Sequence, residues 1–174
     1  QKRLVSVAVS ITTLDSEVAR HMEPRATSPA RRLQTISTLA AAGVPVTVLV
    51  APVIPVLTEH ELESILRAAR DAGACEAGYV LLRLPLEIKE MFTAWLHEHQ
   101  PDRAKHVLAR MADMHAGTLY NAQFGARMRG RGPYADLLEQ RYVLARRRLG
   151  FPGVEALDTT QFVLPNEGPQ LTLF

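Results

Sequence analysis

Hydroxyl and guanidinium side chains stand where the first strand-like run of the chain ends and in the segment that follows it. Ser10 and Thr12 close that run, and alternation along a strand puts both on one face. Arg25 follows in the next connecting segment. Hydroxyls donate and accept hydrogen bonds, and a guanidinium can clamp a carboxylate through two parallel bonds. These residues could hold a polar small molecule, or they could satisfy backbone groups where the strand ends.

Metal chemistry has little support in the sequence. Cys75 is the only thiol, so this chain cannot supply a cysteine-rich zinc site or hold an iron–sulfur cluster. His97 and His99 are two residues apart and point to different faces of a helix. We therefore expect no metal site in this chain, and we expect Cys75 to be a small buried residue.

Arginines concentrate between residues 127 and 148, where three of them interleave with glycines and three end a helix. Such a cluster can contact the phosphates of a nucleic acid without reading its bases. The alternative is that arginine in the last turn of a helix complements the helix dipole. The residues predicted for nucleic-acid contact are Arg127, Arg129, Arg131, Arg146, Arg147 and Arg148.

Three β-branched runs must position these residues. The runs Leu4–Ile11, Val44–Ala51 and Ala77–Arg83 are typical of strands buried on both faces, and helical patterns separate them. Ser28-Pro29 opens the first helix, and Thr58–Glu61 forms a capping box for the second. Alternation of strand and helix predicts a parallel sheet with right-handed crossovers.

Ligands of such sheets bind beyond the carboxyl ends of the strands. That rule singles out three segments, namely Ser10–Asp15, Pro52–Thr58 and Leu82–Leu86. Three parallel strands cannot close a barrel, so we expect the first and the last strand to leave open edges. The remaining elements are predicted helices over Leu86–His99, Pro101–His115 and Pro133–Gly150, followed by an extended tail.

Composition limits the class of protein. With 174 residues, 47% hydrophobic and 22% charged, the chain suits one globular domain and excludes global disorder and a disulfide scaffold. No apolar run reaches the length of a membrane span, and no signal segment opens the chain, so we expect a cytoplasmic protein without membrane contact. Because Gln1 comes almost directly before an apolar run, we expect a chain cut from a longer one.

An ordered set of motifs resembles the second half of a bacterial radical S-adenosylmethionine (SAM) protein related to spore photoproduct lyase. The resemblance covers about residues 4–150. The motifs are Ser10-Ile-Thr-Thr-Leu-Asp15, Met22-Glu-Pro-Arg-Ala-Thr-Ser-Pro-Ala-Arg-Arg-Leu33, Ala42-Gly-Val-Pro-Val46, Ala51-Pro-Val-Ile-Pro55, Gly78-Tyr-Val-Leu-Leu-Arg-Leu-Pro85 and Gly125-Ala-Arg-Met-Arg-Gly-Arg-Gly-Pro-Tyr134.

The resemblance implies an α/β fold that is half of a partial (β/α)6 TIM-like barrel. Residues 1–85 would supply its fourth to sixth strands, 86–150 a helical extension and 151–174 the tail. The CxxxCxxC loop that defines the family is absent. In the longer protein that loop would hold a [4Fe-4S] cluster whose open iron binds SAM. This chain alone would bind neither cluster nor SAM and would not be catalytically competent.

The resemblance also implies contacts to SAM. Strand ends in the family contact the ribose, the amino-acid group and the adenine, which here implies Ser10, Thr12, Arg25, Pro52, Val53 and Leu82. No catalytic residue can be named. Two alternatives stay open. Glu23 and Arg32 could pair with each other and fix the conformation of the loop, and the apolar residues Pro52, Val53 and Leu82 could pack together at the end of the barrel without contacting a ligand.

Two further surfaces predict partners. The edge of the strand at Leu4–Ile11 would be covered by the missing N-terminal half, or by a dimer mate. The last five residues resemble the peptide by which bacterial DNA polymerases and repair proteins dock on the sliding clamp, with Gln170, Leu171, Leu173 and Phe174 as the anchors. Alternatively, those apolar residues fold back onto the barrel.

Three functions are therefore compatible with the sequence. The first is part of a radical SAM enzyme that acts in DNA repair or nucleic-acid modification. The second is a non-catalytic interaction module that docks on a partner such as the clamp. A phosphate-binding barrel fragment ranks last, because no glycine-rich phosphate loop follows any strand.

Overall fold

The structure is a computed structural model that describes residues 4–115, 117–119 and 128–161. Its strands are β1 (Val7–Ile11), β2 (Val46–Val53) and β3 (Glu76–Leu81). Its helices are α1 (Ser16–Met22), α2 (Pro29–Ala41), α3 (Leu62–Asp71), α4 (Ile88–His99), α5 (Pro101–Met114) and α6 (Pro133–Leu149). Short 3₁₀ turns cover Glu59–Glu61 and Thr159–Gln161.

The three strands form one parallel sheet in the order β1-β2-β3. Val9 lies beside Val48, and Val50 lies beside Tyr79, so the register is fixed across the sheet. Helices connect the successive strands, as parallel pairing requires. The predicted α/β class is confirmed, and the arrangement is consistent with part of a TIM-like barrel.

One face of the sheet forms the main hydrophobic core. Val46, Val48 and Val50 alternate along β2 with half-buried residues and are at most 1% exposed. Apolar residues of α2, α3 and α6 cover them, including Ile36, Ile65 and Leu138. The α3 helix contributes four buried residues at spacings of three and four, which is the apolar stripe predicted from the sequence.

A second, smaller core lies at the carboxyl end of the sheet. Ile54 and Leu57 from the segment after β2, and Leu84 after β3, pack against the α4–α5 hairpin. The buried residues of the hairpin are Leu96, Ala104, Val107 and Met111. The hairpin therefore covers the loops that follow β2 and β3.

The two edges of the sheet differ. At β3 the Tyr142 hydroxyl donates to the Ala77 carbonyl at 2.7 Å, and the Leu81 amide donates to the Met128 carbonyl at 2.9 Å. The expectation of an open edge is wrong at β3, because α6 and the segment before it return from more than 45 residues away in the sequence to cover it.

At β1 the Val7 amide donates to the Pro45 carbonyl. The backbone groups of alternate residues therefore face β2, whereas those of Ala8 and Ser10 point away from the sheet. Arg32 donates to the Ser10 carbonyl at 2.8 Å. No strand pairs with this edge within the residues that the structure describes.

Ion pairs fasten α6 to the rest of the fold. Arg141 donates to both carboxylate oxygens of Glu63, at 2.8 and 2.7 Å, and Arg146 donates to both of Glu76, at 2.8 Å each. These guanidinium groups lower the pKa of the Glu63 and Glu76 carboxyls below their usual value. The tyrosine at the start of α6, Tyr134, donates to Glu59.

Several predicted boundaries need correction. The first strand begins at Val7, not Leu4, and Leu4 and Val5 are 53% and 51% exposed because nothing among the described residues covers them. The capping box at Thr58 does not form, since its hydroxyl accepts from the Ile54 amide and leaves the helix uncapped. Among the described residues, no helix has the length and apolar content needed to cross a bilayer.

Candidate functional site

A cavity of about 280 Å³ lies beyond the carboxyl end of β1. Its walls are the end of β1, the α1 helix, the loop that follows it and the beginning of α2. Polar side chains that line it include Thr12, Thr13, Arg20, Glu23 and Arg32. The cavity is therefore at the place where a parallel sheet ordinarily binds its ligand.

The α1 helix begins at the edge of this cavity because Asp15 caps it. The Asp15 carboxylate accepts from the Glu17 amide at 2.7 Å and from the Val18 amide at 3.2 Å. None of the residues of α1 is buried. Sequence analysis missed this helix because it has no apolar stripe, although Asp15 followed by Glu17 was a usable signal for a helix start.

Three hydrogen bonds lock the ends of β1 and β2 together. The Thr12 hydroxyl donates to the Ala51 carbonyl at 3.1 Å. The Thr13 hydroxyl donates to Glu61 at 2.5 Å, and the same carboxylate accepts from the Leu14 amide at 2.7 Å. The segment after β1 is thus held against the segment after β2. Sequence analysis assigned Glu61 to the predicted capping box and missed these partners, which are more than 45 residues away.

Arg32 joins three parts of the site. One guanidinium nitrogen donates to the Ser10 carbonyl and hydroxyl, at 2.8 and 3.0 Å. The others donate to Glu23 at 2.8 Å and to the Thr27 carbonyl at 2.9 Å. The pairing of Glu23 with Arg32, left open as an alternative, is confirmed. Since Arg32 occupies an acceptor position of Ser10, that hydroxyl keeps its proton for donation elsewhere.

The other residues predicted to contact SAM are spread along the same end of the sheet. Pro52 and Leu82 are half-buried, whereas the Val53 side chain is 1% exposed and belongs to the main core. The Leu82 amide donates to the Val53 carbonyl at 2.9 Å, so these two do come together. Arg25 is exposed on the loop after α1. Of the predicted set, Thr12 lines the cavity, and Ser10 lines a shallow groove beside it with Arg32.

The donor set fits one end of SAM and does not fit an iron–sulfur cluster. A volume of about 280 Å³ is near the lower limit of small-molecule sites. Hydroxyl and guanidinium donors suit a ribose or an amino-acid carboxylate. Cys75 lies at the opposite, amino end of the sheet, where its Sγ contacts the Val46 carbonyl; it is half-buried, so the expectation of a buried residue is wrong. The described part of the chain holds no group of three potential metal ligands.

The predicted arginine cluster is dispersed. Arg129 lies over the Tyr79 ring, 4.0 Å from its centroid, and burial raises the pKa of the Tyr79 hydroxyl. Arg146 is paired with Glu76. Arg131, Arg147 and Arg148 are exposed. Arg127 lies outside the described residues, as do Gln170, Leu171, Leu173 and Phe174 of the predicted clamp-binding peptide.

Comparison with known proteins identifies relatives of part of the chain. Uncharacterised proteins of Mycobacterium tuberculosis and Mycobacterium bovis are 36% identical over 100 residues, which is 56% of this chain. The chain covers 29% of the length of these relatives. No solved structure matches. Residues 1–69, which extend from before β1 to near the end of α3, match the Radical SAM superfamily.

Proposed function

We propose that this chain forms part of the SAM cradle of a radical SAM enzyme. The observation that carries the proposal is the span of the superfamily match over residues 1–69. That span contains every wall of the cavity at the end of β1 and the locked ends of β1 and β2. The [4Fe-4S] cluster would be ligated by cysteines outside this chain.

Each residue of the cradle would have a limited task. The Ser10 hydroxyl would donate a hydrogen bond to an oxygen of the ligand, and Thr12 would form part of the cavity wall. Arg25 is exposed and would be available for the carboxylate. Pro52 and Leu82, and the backbone at Val53, would form an apolar wall for adenine. When bound beside a reduced cluster, SAM supplies a 5′-deoxyadenosyl radical, with methionine leaving and the cluster giving one electron.

The test is calorimetric titration of SAM into the longer protein, reconstituted under anaerobic conditions. Arg25→Gln should weaken binding by about tenfold or more, because a charge-assisted pair to the carboxylate is lost. Arg31→Gln is the matched control, since Arg31 is also exposed and lies six residues away. The 174-residue chain alone should bind neither iron nor SAM. Equal binding by both variants would refute the role of Arg25, and no binding by the intact protein would refute the cradle.

For the substrate we propose nucleic acid, which would place the protein among relatives of spore photoproduct lyase in DNA repair or modification. Exposed Arg131, Arg147 and Arg148 support phosphate contact. Binding of a labelled duplex at rising salt should be weakened by Arg147→Gln plus Arg148→Gln and unchanged by Arg67→Gln, an exposed arginine on α3. Salt-independent binding would contradict phosphate contact. A cytoplasmic location is part of this proposal.

A non-catalytic interaction module is the second candidate, supported by the open β1 edge and by the residue types at the C-terminus. The missing N-terminal half or a second copy would pair at Ala8 and Ser10. Fluorescence anisotropy of a Gln170–Phe174 peptide against a bacterial sliding clamp tests the other contact. Loss of binding with Leu173→Ala plus Phe174→Ala supports docking, and equal binding excludes it.

A further inference from the structure

The α6 helix has a second apolar surface on the side that faces away from the core. Its residues buried in the core are Ala135, Leu138, Tyr142 and Ala145. Leu137 and Leu144 are 53% and 58% exposed. Because residues seven apart share one face of a helix, these two leucines lie together, on the side away from the buried set. With exposed Gln140 between them they form what we call the α6 stripe.

Two charged residues lie on the same flank of the α6 stripe. Asp136 is in the first turn of α6 and Arg147 is in the last. Arg147 comes eleven residues after Asp136, which is about three full turns. Both are exposed, and within the described ranges neither forms an ion pair. Interaction with the helix dipole accounts for both charges but not for the exposed leucines between them.

This surface is complementary to a copy of itself that runs in the opposite direction. The two leucines are centred between residues 140 and 141, and the two charges are centred between residues 141 and 142. The two centres are one residue apart, about 1.5 Å along the helix axis. A single two-fold axis therefore brings leucine against leucine and acid against base.

We infer that α6 is a homodimer interface: a second copy packs antiparallel along the α6 stripe, with Leu137 against the partner's Leu144 and Asp136 beside the partner's Arg147. Every contact occurs twice, as in any interface that uses the same patch on both subunits. Arg141, which lies near the axis, is held by both carboxylate oxygens of Glu63. A helix of this length is about 25 Å long, so the interface is small and the dimer is weak.

A second copy fits this surface better than a nucleic acid does. Phosphate contact is favoured by basic groups, whereas the α6 stripe presents two leucines and Asp136 beside Arg147. Arg131 and Arg148 lie outside the flank that carries Asp136 and remain exposed for phosphate. The inference is also independent of the SAM cradle, because α6 lies outside residues 1–69.

Sedimentation equilibrium of the 174-residue chain between about 10 µM and about 1 mM tests the association. The chain should show a monomer–dimer equilibrium in this range. Leu144→Glu should weaken dimerisation by about tenfold or more, because it places a charge in the apolar centre of the contact. Met91→Glu is the matched control, since Met91 is 67% exposed on α4 and should not alter association.

Charge reversal separates the dimer from a role in helix stability. Asp136→Arg and Arg147→Asp should each weaken dimerisation by about tenfold, because like charges then face each other at two places. The double variant should recover the wild-type association, although both changes oppose the helix dipole. Far-UV circular dichroism of each variant verifies that α6 is still folded.

Three results would overturn the inference. The first is a chain that stays monomeric at the highest concentration. The second is a dimer that is unchanged in Leu144→Glu, which would assign association to another surface such as the β1 edge. The third is a double variant without recovery. Loss of DNA binding in Arg147→Asp with unchanged association would assign the surface to nucleic acid instead.

Discussion

Two tyrosines in one core should respond in opposite ways to the loss of a hydroxyl. Tyr79 and Tyr142 are in contact, with ring centroids 4.9 Å apart, and both are largely buried. The Tyr142 hydroxyl donates to the Ala77 carbonyl at 2.7 Å. The Tyr79 hydroxyl is buried, and among the described residues it forms no hydrogen bond of normal geometry, although the Arg129 guanidinium lies close to it. The substitution of each by phenylalanine therefore removes a hydroxyl that is hydrogen-bonded at Tyr142 and one that is not at Tyr79.

The expected changes follow from these contacts. Tyr142→Phe loses one neutral hydrogen bond, worth about 1 kcal/mol. The groove beside Ala77 is open, so water can reach the carbonyl and the full penalty of a buried orphan is avoided. Tyr79→Phe removes a desolvated hydroxyl and should raise the free energy of unfolding by roughly 0–1 kcal/mol. Arg129 lies over the ring face, a contact that phenylalanine keeps.

Urea unfolding of the two variants and of the wild type provides the assay, with midpoints compared at equal slope. Tyr142→Phe should lower the urea midpoint by the equivalent of about 1 kcal/mol, and Tyr79→Phe should leave the midpoint unchanged or raise it. Equal losses in the two variants would show that the Tyr79 hydroxyl also forms a stabilising interaction, and would refute its assignment as a hydroxyl without a partner. No loss in Tyr142→Phe would refute the role of its hydroxyl at the β3 edge.

Three other predictions concern charged groups. Arg32→Lys should destabilise the chain by about 1–2 kcal/mol, because a compact ammonium cannot reach the separated acceptors of Ser10, Glu23 and Thr27 that the planar guanidinium spans. Exposed Arg31→Lys should change the free energy of unfolding, measured with urea, by less than about 0.5 kcal/mol. Arg141 lowers the pKa of Glu63, so the stabilisation from this pair is fully present above pH 4.5 and is lost as the pH falls. Arg141→Gln should therefore reduce the fall in the free energy of unfolding between about pH 4.5 and lower pH. Burial lowers the pKa of His115 from 6.5, so its contribution is present above pH 6.5 and declines below it; His115→Gln should reduce that slope, and an unchanged slope would contradict the assignment.

The strands were predictable from their β-branched runs, but the expected burial on both faces is wrong, because alternate residues of β2 and β3 are only half-buried and Ala8 of β1 is exposed. Their bounds shifted by up to three residues. The first strand begins later than predicted because Leu4 and Val5 have no neighbour to pack against among the described residues. The α3 helix was predictable from its stripe. The α1 helix was not, because it buries no residue and has no apolar stripe.

The candidate site was predictable in its position but not in its connections. The rule that ligands bind at the carboxyl ends of parallel strands predicts a site beside Thr12, and the structure has a cavity there. The contacts of Arg32 with Ser10, of Glu61 with Thr13 and of Trp95 with His21 join residues 22 to 74 positions apart. Such contacts depend on the register of the sheet and on helix packing, which spacing along the chain does not encode.

The unequal edges of the sheet limit how copies of this chain can associate. Growth of a fibre through strand pairing requires two free edges on every molecule, so that each copy both receives and offers a strand. In the described fold Tyr142 and Met128 occupy the edge at β3, and only β1 remains. Two copies that join through β1 use up the free edge of both. Strand pairing between these sheets is therefore self-terminating at the dimer.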